Sequence, residues 1–217
     1  KYASSKAKIE EQIERLNQLM RTVGETTERL SLIGSGYKRL ALVLADRAPA
    51  ACTSALKKME SAYKKAWGGK DGEAYPLKNY LAALILQMLR SGTRSKSKLA
   101  YIGAQIDAVQ KMAVQNQRKS PDDFWANVGV TEAKLVLHLH AHLGGRKNAF
   151  GEKVHDELVR EYKNAWGQYG SVRELNSILE HYIFLAAVLR NIKAHEDLCR
   201  VLEKIVHSLR SMYEGVN

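Results

Sequence analysis

The sequence predicts an all-α fold, and three observations carry that prediction. Apolar residues recur every three or four positions along nearly the whole chain, no segment alternates convincingly with period two, and two phrases nearly repeat. The phrases are MESAYKKAWGG at Met59–Gly69 and LVREYKNAWGQ at Leu158–Gln168. Met59, Tyr63, Ala66 and Trp67 align with Leu158, Tyr162, Ala165 and Trp166, each pair 99 residues apart. A helix pair cannot bury its apolar face alone, so stacked pairs reuse the same packing positions.

About ten antiparallel helices with short connections follow from the pattern. Ile9, Ile13, Leu16, Met20 and Val23 mark a first amphipathic helix. A second starts after Gly24, with Thr26 or Thr27 as cap. A third runs from about Thr53 to Trp67 and stops at Gly68 and Gly69. Pro76 suits the first turn of a fourth, which ends near Gly92, and a fifth, basic helix spans Ser95 to about Gln117. Ser120 as cap, Pro121 in the first turn, and Asp122 and Asp123 at the positive helix end announce a short helix closing near Gly129. Thr131 then caps a helix running to Gly144 and Gly145, and another covers Lys147 to Trp166. Ser171 and Glu174 form a capping box for the next. The last carries Leu198, Val201, Leu202, Ile205, Leu209 and Met212 on one stripe. The break near Ser120 divides the expected array into halves at 1–119 and 120–217.

At 217 residues the chain is long enough for a real core, and 45% hydrophobic with 26% charged residues is a soluble globular composition. No run of 18 apolar residues is present, so no membrane span is expected. The first residues lack the apolar core of a signal peptide and begin without Met, which suggests an excised or processed segment of a longer protein. Two cysteines, Cys52 and Cys199, make no disulfide framework, and a reducing cytoplasm is the simplest compartment. The net charge is +11, with no acidic residue from Tyr75 to Ile106. Such a balance favours anionic partners without choosing among them.

Leu30, Ile33, Gly34 and Tyr37 have the spacing Leu-x-x-Ile-Gly-x-x-Tyr, and Met59, Tyr63 and Ala66 follow on a second helix. This resembles the tetratricopeptide repeat, in which Gly lets two helices approach and aromatic residues fill the space between them. The resemblance implies a TPR-like α-solenoid, with Gly34 at the close approach and Tyr37 and Tyr63 as fillers. Four further phrases, ERLSLIGSGYKRLAL, AYPLKNYLAALIL, DDFWANVGV and GSVRELNSILEHYIFLAAVL, narrow the likeness. Their order is similar to the C-terminal sensor-like repeats of large bacterial proteins that carry caspase-like (CHAT) or TIR effector domains in defence systems. This implies a sensing or scaffolding module whose effector lies outside these residues, with a protein partner or linked effector domain as its counterpart. It also implies a basic concave groove lined by first helices: Lys38 and Arg39 on one, Lys78 and Asn79 on another, and Arg173, Asn176 and Ser177 on a third. An Arg, a Lys and carboxamides converging there would hold a nucleotide, another anionic ligand or a peptide carboxylate.

Catalytic constellations are missing from the sequence. His138 and His142 share a helix face, yet the segment lacks the internal Glu of a metalloprotease pair and has no Cys cluster beside it. The GSGYK and GGKDG phrases lack P-loop spacing. Trp67 and Trp166 read as packing residues rather than a base-stacking platform. No catalytic residue, metal site or cofactor is expected, and the chain reads as a binding module whose ligand shifts the populations of a linked effector. The alternative is sequence-nonspecific nucleic-acid binding through Arg90, Arg94, Lys96 and Lys98, which predicts a steep salt dependence.

Overall fold

The computed structural model describes residues 2–69, 73–146 and 148–214. Among them are nine α-helices and one short 3-10 turn, with no strand. In chain order these are α1 (Tyr2–Val23), α2 (Thr27–Leu44), α3 (Pro49–Trp67), α4 (Ala74–Ser91), α5 (Lys96–Lys119), α6 (Phe124–Leu143), α7 (Glu152–Tyr169), α8 (Val172–Leu189) and α9 (Glu196–Glu214). The all-α, TPR-like reading of the sequence therefore stands. Two compact units are present, 1–87 and 88–217.

In the first unit α2 packs chiefly on α3 and secondarily on α1. Two glycines on α2 allow both approaches. A Cβ on Gly34 would meet the Tyr63 ring at 2.6 Å, and one on Gly36 would meet Ile13 Cγ1 at 2.7 Å. Both are closer than real Cβ contacts, so α2 comes within reach of its neighbours only because these positions lack a side chain. Leu30, Ile33, Ala41 and Leu44 of α2 and Cys52, Leu56, Met59 and Tyr63 of α3 make the core there. The Thr26 hydroxyl caps α2 by accepting from the Arg29 N–H at 3.2 Å. The α3 helix starts four residues before the expected Thr53, because Pro49 occupies its first position, where a missing N–H costs nothing. Gly68, at φ 68°, stops it in the left-handed conformation.

The second unit pairs α5 with α6, α6 with α7, and α9 with both α7 and α8. His140 Nε2 donates to the Leu99 carbonyl at 3.0 Å, and Gln117 donates to Asn127 Oδ1 at 3.0 Å, tying α5 to α6. The structure merges two expected helices here. α6 runs unbroken through Gly129, and Thr131 is a buried interior residue rather than a cap. Phe124, Val128, Thr131, Leu135 and Leu139 form one buried stripe at three- and four-residue spacing. Burial of that stripe outweighs the roughly 1 kcal/mol that glycine costs inside a helix. The cap is Asp123, whose carboxylate accepts from the Ala126 N–H at 2.7 Å, while Ser120 and Pro121 lie in the turn before it. The Ser171–Glu174 capping box is present as expected, with the Ser171 N–H donating to Glu174 Oε2 at 2.7 Å. The expected helix start at Lys147 falls outside the described residues, as do Lys70–Gly72 of the GGKDG phrase, and α7 begins at Glu152.

Candidate ligand site

Three helices of the first unit bring hydroxyl groups together. Ser35 on α2 and Tyr63 on α3 share a hydrogen bond of 2.9 Å, and Tyr75 on α4 lies 3.4 Å from the Tyr63 hydroxyl and 3.5 Å from Ser35 Oγ. Tyr63 is fully buried, whereas Tyr75 is 50% exposed. The cluster thus begins in the core and ends at solvent. Burial, together with the neighbouring Tyr75, pushes the Tyr63 hydroxyl well above its ordinary value, while the hydrogen bond from Ser35 and the charge of Arg39 work the other way. Tyr63 is therefore a neutral donor and acceptor at any physiological pH.

Three of the expected residues, Arg39, Lys78 and Asn79, lie beside this cluster. Arg39, exposed on α2, acts electrostatically on Tyr63. The Lys78 ammonium lies over the Tyr75 ring, 5.3 Å from its centroid. Asn79 is 2% exposed and donates from Nδ2 to the Tyr75 carbonyl at 2.9 Å, so its amide holds the first turn of α4 in place. Lys38 is half-buried on α2. Tyr75 itself was not read from the sequence as a site residue. Its only signal was an aromatic residue ahead of Pro76, and its meeting with Ser35 and Tyr63 depends on three separate helices.

Arg173, Asn176 and Ser177 belong to the second unit, where all three are exposed on the first turns of α8. They occupy the positions on α8 that Tyr75, Lys78 and Asn79 occupy on α4, each 98 residues further along (173 − 75, 176 − 78, 177 − 79). The Ser177 hydroxyl bonds back to the Arg173 carbonyl at 3.2 Å, an ordinary helical arrangement. Of the basic patch, Arg94, Lys96 and Lys98 are exposed, while Arg90 is half-buried and donates from Nη1 to the Val188 carbonyl at 2.5 Å.

Tyr162, the counterpart of Tyr63, sits in different chemistry. Its hydroxyl donates to Glu132 Oε1 at 2.6 Å and accepts from Tyr182 at 3.3 Å, with all three residues buried. His181 Nε2 lies 3.8 Å from Glu132 Oε2. Burial raises the hydroxyls of Tyr162 and Tyr182 well above the ordinary range, with the Glu132 charge adding to it. Glu132 was not singled out in the sequence, since an acid on a helix ordinarily faces water.

The two helix-face histidines go separate ways. His142 Nε2 is 3.1 Å from His195 Nδ1, and His195 Nε2 is 3.0 Å from the Leu89 carbonyl. A carbonyl only accepts, so His195 carries its proton on Nε2 and His142 donates to its Nδ1. His138 instead packs edge-on against Phe150. Burial lowers the basicity of both His138 and His142.

Residues 1–85 match the family model TPR-S, Tetratricopeptide Repeats-Sensor. That span covers α1 to α3 and most of α4, including Ser35, Arg39, Tyr63, Tyr75, Lys78 and Asn79. It supports a TPR-like sensor repeat region there. No curated protein and no solved structure matches the chain. No described helix is long and apolar enough to cross a membrane.

Proposed function

We propose that the chain is a TPR-like sensor or scaffold module that binds an anionic ligand, or an acidic segment of a protein partner, at the Tyr75 end of the hydroxyl cluster. The observation that carries this reading is the Ser35–Tyr63–Tyr75 cluster with Arg39 and Lys78 beside it. Hydroxyls donate to phosphate or carboxylate oxygens, and the two cations supply charge at a place where only one side of the cluster is wet. Lys38 and Asn79 complete this site, and Arg173, Asn176 and Ser177 are proposed as a separate ligand surface of the second unit. Ligand binding shifts the module between conformational populations, and a linked effector of caspase-like or TIR type reads the shift, in keeping with a role in bacterial defence.

The test is a thermal-shift screen of the chain against phosphate, mono-, di- and cyclic nucleotides and short acidic peptides, each at low and high salt. Stabilisation that persists at high salt, and is lost in the Arg39→Glu, Lys78→Glu double variant with folding intact, is the expected result. Unchanged binding in that variant overturns the site.

A second reading rests on Arg94, Lys96 and Lys98, exposed at the start of α5 and the turn before it. It is nucleic-acid binding without sequence preference. Stabilisation only by RNA or DNA, lost with salt and lost in Arg94→Glu, Lys98→Glu, would favour it.

A further inference from the structure

Donor side chains gather a second time in the second unit, apart from the tyrosine clusters. Glu152, His155 and Asp156, on the first turns of α7, each place a ligand-type atom within 4.8 Å of the others. Their spacing of three and four residues sets Glu152 on the same helix face as the other two. Glu152 and His155 border a cleft of about 460 Å³ whose other wall is α9, with Glu203, Lys204, His207 and Ser208. His155 reaches both helices. Its Nδ1 is 2.8 Å from Asp156 Oδ1, and its Nε2 is 3.1 Å from Ser208 Oγ. With Asp156 ionised, Nδ1 carries the proton and Nε2 accepts from the serine hydroxyl.

An Asp–His–Ser chain is also the connectivity of a nucleophile relay. Acyl transfer additionally needs donors aimed at the developing oxyanion. Ser208 lies in the interior of α9, where neighbouring main-chain N–H groups are spent on helical bonds. Coordination asks less of the scaffold, and the three donors already meet its requirements of type and proximity.

We propose that Glu152, His155 and Asp156 bind a divalent transition metal of the zinc, cobalt or nickel class. Imidazole with carboxylates suits these ions better than calcium or magnesium, which prefer oxygen alone. Bonds of about 2.0–2.2 Å from the metal to N and O bring such ligands within roughly the spacing the cluster already has. The metal takes the place of the proton between imidazole and carboxylate at Nδ1, and the neutral ring keeps that single proton, which moves by way of solvent to Nε2. The Nε2–H then donates to Ser208 Oγ and fixes the ring in the way outer partners of ligating histidines do. Lys204 opposes binding, because its ammonium is ion-paired with Glu152 and must give that carboxylate up. Arg200, on the same wall, pairs with Glu196 and Asp197 on its own helix.

The experiment is titration of the full 217-residue chain with Co(II), read by visible ligand-field absorption, and with Zn(II), read by calorimetry. One equivalent should bind. His155→Gln and Glu152→Gln should each weaken binding at least about tenfold, and Lys204→Gln should tighten it several-fold. His138→Gln with His142→Gln should leave it unchanged. Circular dichroism of each metal-free variant checks folding. Should His155→Gln fail to fold, Asp156→Asn serves in its place, because that side chain is 72% exposed and carries no core contact to lose. Absence of saturable binding, or binding unchanged in the α7 variants, overturns the proposal.

Discussion

The Tyr162 hydroxyl donates to Glu132 Oε1 at 2.6 Å in the interior of the second unit, with Tyr182 donating to Tyr162 in turn. A buried carboxylate is tolerable only while such donors face it. Tyr162→Phe removes one donor and little volume. It should destabilise the chain by about 1–3 kcal/mol in urea denaturation. Adding Glu132→Leu should then cost less than the two single changes summed, since the double variant leaves no stranded charge. Strict additivity would show that the pair does not interact.

Gly34 and Gly129 should answer alanine in opposite directions. At Gly34 the new methyl would meet the Tyr63 ring at 2.6 Å, so Gly34→Ala should cost about 1–3 kcal/mol by overpacking. Nothing lies within 4 Å of a Cβ on Gly129, and the residue is helical. Gly129→Ala should therefore stabilise the chain by about 0.5–1 kcal/mol. A loss of stability at Gly129 would mean that α6 is not continuous in solution.

Acidification should weaken the second unit through His138 and His142. Burial holds both below their ordinary basicity in the folded chain, with His195 and Arg94 adding to the effect at His142. The unfolded chain therefore binds more protons once pH falls below about 6.5, and stability must decrease from there downward. Urea midpoints at pH 7.5 and 5.5 should show the drop, and His142→Gln should reduce it. A midpoint that rises on acidification would reverse the sign and defeat the assignment.

Both thiols should be silent in the native protein. Cys52 is fully buried, and burial with the nearby Glu203 pushes the Cys199 thiol up to about 11. Thiolate is the reactive form, so a disulfide reagent at pH 8 should label neither cysteine until denaturant is added, and then both. Rapid native labelling would indicate opening of the helices around them.

Much of the fold was legible because local signals and burial agree in it. The Leu-x-x-Ile-Gly-x-x-Tyr spacing anticipated the meeting of Gly34 and Tyr63, and Ser171 with Glu174 anticipated a capping box that the structure contains. At Gly129 the two disagree. Glycine followed by threonine reads as a stop and a new cap, while the stripe from Phe124 to Leu139 keeps the helix intact. The candidate site was legible only in part. Arg39, Lys78 and Asn79 could be named from the repeat resemblance, but their grouping about Tyr63 and Tyr75 requires α2, α3 and α4 to be assembled first. Glu132 left no trace in the sequence, because what makes it unusual is burial against residues 30 and 49 positions away.

The twin tyrosines also set how freely each copy of the repeated phrase can change. Around Tyr63 the hydroxyl network opens to water through half-exposed Tyr75, so water can stand in for a lost neighbour and new side chains can be tried at little cost. Around Tyr162 a sealed carboxylate penalises each single exchange until a second repairs it. One copy is thereby left free to acquire new specificities while the other is locked into keeping the chain folded.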